Sequence, residues 1–60
     1  MRFIYVADDS ARDKLLAAGY ELLNSDEQKQ SYIFINNLEG THETFSLLEV
    51  RCALLDTLVL

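Results

Sequence analysis

Sixty residues, half of them apolar, make one small domain (residues 1–60) and are too apolar for a disordered chain. Ten acids against five basic residues give a net charge of −5, which argues against direct binding of nucleic acid or of an anionic membrane, since both need a basic face. With one cysteine (Cys52) and one histidine (His42) there is neither an internal disulfide nor a zinc cage, so stability must come from the core and from association.

In chain order, Arg2-Phe3-Ile4-Tyr5-Val6-Ala7 is apolar at every interior position, a pattern repeated in Ser31-Tyr32-Ile33-Phe34-Ile35-Asn36. A strand with one solvated face alternates apolar and polar side chains, so unbroken runs predict strands covered on both faces. A chain this short has little material for two faces. The missing cover is expected to be another copy of the chain or a partner, hence a homo-oligomer. The first run is also too short for a signal-peptide core, and nothing approaches the roughly twenty apolar residues of a membrane span.

Asp8-Asp9-Ser10 offers three N-cap candidates, and Ser10 with Asp13 is a weaker relative of the capping box. Ala11, Leu15 and Ala18 fall on one helical stripe, and Gly19 supplies a left-handed terminus. These signals predict a helix over residues 9–18. Tyr20-Glu21-Leu22-Leu23 reads as a short strand, and 24–30, without an apolar residue, as a solvated loop, so 20–36 form an antiparallel hairpin. Asn36-Asn37 and Gly40-Thr41 bracket a turn. Between 47 and 54 the alternation of Leu48, Val50, Cys52 and Leu54 suits a strand. The capping box Ser46-Leu47-Leu48-Glu49 favours a short helix there, with Thr57–Leu60 as a terminal strand. The predicted class is α+β: a small single-layer sheet in the order βαβββ packed on one helix, with a second helix and a terminal strand as the variant. Helix one would cross over between strands one and two as a parallel pair.

Candidate chemistry is sparse. Asp8 and Asp9 at the end of a strand could hold magnesium, but without a third carboxylate or a glycine-rich cradle, helix capping and an ion pair with Arg12 account for them better. His42 reads as a turn residue and Cys52 as a small core residue, since neither has the neighbours a nucleophile or base needs. The expectation is a non-enzymatic protein that uses no cofactor and no metal. Tyr5, Tyr20 and Tyr32 fall on predicted strands, where a ring either packs in the core or offers a face to a base or a partner. Asp8, Asp9 and Asp13 gather on helix one, as a solvated face or as an acidic surface for a basic groove on another protein.

The stretch Phe3-Ile4-Tyr5-Val6 to Asp8, then Ala11-Arg12-Asp13 and Leu15-Leu16-Ala17-Ala18-Gly19-Tyr20-Glu21-Leu22-Leu23, with Ala53-Leu54 and Asp56-Thr57-Leu58, resembles short uncharacterised proteins of phages and prophages in Gram-positive gut bacteria. The resemblance covers about half the chain. It implies a phage origin and a place in the host cytoplasm, which the lone cysteine also fits. By analogy with other tiny acidic phage proteins, the leading expectation is an accessory protein that binds and inhibits a host defence component through Asp8, Asp9 and Asp13. The alternative is an oligomer that sequesters a small nucleotide signal at a subunit interface, with Tyr5, Tyr20 and Tyr32 stacking and Arg2, Arg12 or Lys14 meeting phosphate.

Overall fold

In a computed structural model, which describes residues 2–57, the two unbroken apolar runs become adjacent central strands of one antiparallel sheet. The elements are β1 (Phe3–Val6), α1 (Asp9–Ala18), β2 (Glu21–Asp26), β3 (Ser31–Ile35), α2 (His42–Leu47) and β4 (Ala53–Leu55), and the sheet order is β2-β3-β1-β4. The α+β class holds, with two helices against the sheet. β1 and β2 run in the same direction as expected, but they are not paired: β3 is inserted antiparallel between them. The physical reason is composition. The more apolar β3 takes the central place, and β2, carrying Glu21, Asn24, Ser25 and Asp26, takes a solvated edge. On an edge those polar side chains can stay in water while their backbone pairs. The strand therefore runs to Asp26, and only residues 27–30 form a turn instead of the loop expected over 24–30.

Ile4 and Val6 of β1 and Tyr32 and Phe34 of β3 face inward, where Ala11 and Leu15 of α1, Phe45 of α2, Tyr20 and Val50 complete the core. Helix one begins and ends where the sequence placed it. Asp8 is the cap, its carboxylate accepting from the Ala11 N–H at 2.6 Å. At the other end Gly19 takes φ 99°, Tyr20 N–H donates to Leu15 O at 3.0 Å and Gly19 N–H to Leu16 O at 3.1 Å, the Schellman pattern.

The second helix corrects the expectation for residues 47–54. It starts earlier, at a reciprocal capping box of Thr41 and Thr44, and not at Ser46. A second Schellman turn ends it: Val50 N–H donates to Phe45 O at 2.9 Å, Glu49 N–H donates to Ser46 O at 3.1 Å, and Glu49 itself sits at φ 58°. The chain then re-enters the sheet as β4, so the last strand of the described residues lies at 53–55. Of the strand expected over 57–60, Thr57 is a bend, and residues 58–60 lie outside the described residues.

Two glycine positions carry the packing. Gly40 is clasped by the Asn36 side chain, which accepts from its N–H at 2.7 Å and donates to its carbonyl at 2.9 Å. A Cβ there would collide with the Tyr20 hydroxyl and lie 2.6 Å from Cζ of Phe45. Gly40→Ala should therefore cost about 1–3 kcal/mol by overpacking, seen as a lowered denaturant midpoint; an unchanged midpoint would show that the loop yields freely. The two helix ends give tests of opposite sign. Gly19→Val should lower stability by about 1 kcal/mol or more, whereas Glu49→Gly should raise it by up to about 1 kcal/mol, because only glycine occupies the left-handed region without strain. At this size about 1 kcal/mol moves the melting temperature by about 4–8 °C, well within calorimetric resolution.

Candidate functional site

The acids of α1 are bound up with the fold. Asp8 is the cap. Asp9 accepts from the Tyr32 hydroxyl at 2.5 Å and pairs with Arg12 at 3.5 Å, and Arg12 donates through Nε to Asp13 at 2.9 Å. The Arg12 guanidinium also donates to the Tyr32 hydroxyl at 3.2 Å and lies over that ring, 5.0 Å from its centroid. Its hydrogen bond to Asp13 holds Arg12 above the usual guanidinium range. With Asp8 capping α1 and Asp9 and Asp13 on it, against one arginine, the patch remains negative. Its groups act together as a brace between α1 and β3.

The tyrosines divide. Tyr32 is 1% exposed and Tyr20 packs on Phe45 with ring centroids 5.5 Å apart, so neither offers a ring face for a base. Of the two readings open for them, core packing holds for both, and the stacking role of the nucleotide alternative falls away at these two positions. Tyr5 is half-buried on the opposite face of the sheet, with its hydroxyl hydrogen-bonded to Ser31 at 3.3 Å. The basic residues of the nucleotide alternative are dispersed. Arg12 is held as above, Lys14 donates from Nζ to the Glu49 carbonyl at 3.2 Å, and Arg2 lines a separate hollow with Asn36 and Glu39. Burial pushes the Cys52 thiol up, away from the reactive thiolate, and His42 is an exposed first residue of α2. Among the described residues no group of three or more histidine, cysteine or carboxylate side chains could hold a metal ion.

Two surfaces stand out instead. One is a groove of about 550 Å³ between the end of α1 and α2, lined by Ala18, Tyr20, Leu38, Thr41, Glu43, Thr44, Leu47 and Leu48. Leu47 is 80% exposed and Leu38 52%, a large apolar area to leave in water. The other is the outer face of the sheet, where the register aligns Phe3 with Ile35 and Leu55, and Tyr5 with Ile33 and Ala53. Of the candidate residues the sequence suggested, Tyr5 falls on this second surface and Tyr20 lines the first, but the exposed Leu38 and Leu47 were not among them. The signal for the groove was weak: leucines in segments that read as a turn and as the start of a different helix.

The Tyr32 phenol sits above its ordinary range, chiefly through its hydrogen bond to Asp9 and then through burial, with Arg12 opposing. A raised folded-state value favours the neutral phenol. The stabilisation is thus complete below about pH 10 and is lost as pH rises through the folded-state value. Asp9→Asn should bring the Tyr32 midpoint down, as followed by ring-carbon shifts in an NMR titration. An unmoved midpoint would remove Asp9 as the cause. The chain matches no family model, no curated protein and no solved structure.

Proposed function

We propose that this is a non-enzymatic accessory protein that docks on a protein partner. Its class is the one the phage resemblance implies: a cytoplasmic inhibitor of a host defence component. The observation that carries the docking reading is the groove between α1 and α2. There Leu38 and Leu47 stand exposed beside Glu43. An apolar surface of this kind rimmed by charge is the usual mark of an interaction site. Its occupant is a partner segment that is amphipathic and basic. Apolar side chains would fill the groove, and cations would answer Glu43 and the net negative charge of the chain.

Asp8, Asp9 and Asp13 lie towards the other end of α1 from the groove-lining Ala18. Because their oxygens already serve the cap and Arg12, their part in this reading is long-range attraction. The nucleotide reading is weaker, because it keeps Tyr5 and Arg2 but loses Tyr20 and Tyr32 to the core. No helix among the described residues is long and apolar enough to cross a membrane.

The test is capture from a Gram-positive gut bacterial lysate by the immobilised full chain, with folded variants as controls. A protein retained by the wild type should be lost with Leu47→Glu. Joint charge reversal of Asp8, Asp9 and Asp13 should weaken its retention more at low salt than at physiological ionic strength, where charges are screened over about 8 Å. Retention indifferent to Leu47→Glu would overturn the groove. Failure to retain any protein, together with thermal stabilisation by a cyclic nucleotide, would transfer the function to the nucleotide reading.

A further inference from the structure

We infer that a second copy of this chain covers the outer face of the sheet, the two sheets packing face to face about a two-fold axis that runs along the strands. The face has the make-up of half a core. Its centre holds Phe3, Tyr5, Ile33, Ile35 and Leu55, each only partly covered by its own chain. The one polar group among these side chains, the Tyr5 hydroxyl, is already paired with Ser31 on the same face, so covering it would not leave it without a partner. The inference goes beyond the docking groove and does not depend on it.

Charge selects both the occupant and the axis. The β2 edge carries Glu21 and Asp26, in register with Ile35 and Ser31 of the outer face. At the β4 edge Arg51 borders a shallow hollow with Tyr5, Ala7 and Ala53. An interface between identical copies must be self-complementary. A two-fold axis along the strands lays β2 of one copy over β4 of the other, so that Asp26 meets the partner's Arg51 twice while the apolar centres coincide. An in-plane axis across the strands would instead lay the acidic β2 edge over its own copy.

The area sets the class of interface. Four strands about 4.8 Å apart, each presenting about five residues at about 3.3 Å, give roughly 300 Å² of sheet, the size of an interaction patch on a small protein. Counting the rims and both copies, the buried total approaches about 1,000 Å², the low end for a biological interface. An interface of that size belongs with weak, reversible associations.

Light scattering on size-exclusion peaks of the purified full chain, across a concentration series, tests this. The expected result is a monomer–dimer equilibrium that Ile33→Lys abolishes while circular dichroism stays unchanged. Asp26→Lys and Arg51→Glu should each weaken the dimer by about tenfold or more, and an equimolar mixture of the two variants should recover it, since opposite charges then meet at both contacts. Recovery on mixing also shows that neither variant is misfolded. A monomer at every concentration would overturn the inference, as would a dimer that survives Ile33→Lys, which would be joined by an edge or a helix. Lack of recovery on mixing would overturn the axis. A wild type that dimerises only after residues 58–60 are deleted would assign the face to that segment and overturn the second copy as its occupant. Leu47→Glu should leave the equilibrium untouched, which keeps this outcome separate from that of partner capture.

Discussion

Helices of ten and six residues are all the helical cover the described residues provide for a four-stranded sheet. A sheet has two faces, and this much helix covers one. The inner face is closed by Leu15 and Phe45 over Ile4, Val6, Tyr32 and Phe34, and each such side chain contributes about 1.5–3 kcal/mol when fully buried. Among the described residues, nothing of comparable size lies over Phe3, Tyr5, Ile33 and Ile35. The unbroken apolar runs follow from this imbalance, because each strand is written for two interiors while the described chain builds one.

With so little helix, the helix ends have to do core work. Both helices close in a Schellman turn, and in both the residue that closes it is buried: Tyr20 after α1 and Val50 after α2. The carbonyls they bond belong to Leu15 and Phe45, which are also core residues. Termination and packing are therefore the same event at each end. Tyr20 and Phe45 then meet at a tilt of 49°, and the space between them admits Gly40 only without a side chain. The Asn36 amide, standing in for a strand neighbour, holds Gly40 at that spot. The mouth of the groove opens beside this junction, where α2 ends and Leu47 no longer has a neighbour to cover it.

Helix one was legible because its signals are local and redundant: an acid cap, a stripe of Ala11 and Leu15, and a glycine at the end. The strands β1 and β3 were legible from hydrophobicity alone. Helix two was not. Its cap is Thr41 paired with Thr44, which lacks the acid or amide of the usual box, and its terminus is a glutamate in a conformation that normally announces itself as glycine. The Ser46-to-Glu49 motif satisfied the capping rule by composition, yet its glutamate is the residue that ends the helix. Strand order was also beyond a local reading, since placing β3 between β1 and β2 depends on competition for the buried centre of the sheet. At the candidate site, charge and aromatic content were read correctly as inventories. Which side chains were already spent on the fold, as Asp9, Arg12 and Tyr32 are on one another, is a tertiary fact.

Self-association of an acidic chain raises the question of repulsion, and the architecture answers it. In the inferred dimer the sheets lie about 10 Å apart, and the helices stand on their outer sides. The acidic ends of the two α1 helices are then separated by both sheets and the core between, well beyond the screening length of about 8 Å at physiological salt. The cost of pairing two negative chains falls mostly on the β2 edges, where Arg51 of the other copy sits. The same arrangement turns both α1–α2 grooves outward on opposite sides. A dimer of this kind would meet a multimeric target twice, so that modest contacts at Leu38, Leu47 and Glu43 could add as avidity wherever the target's spacing allows both to engage.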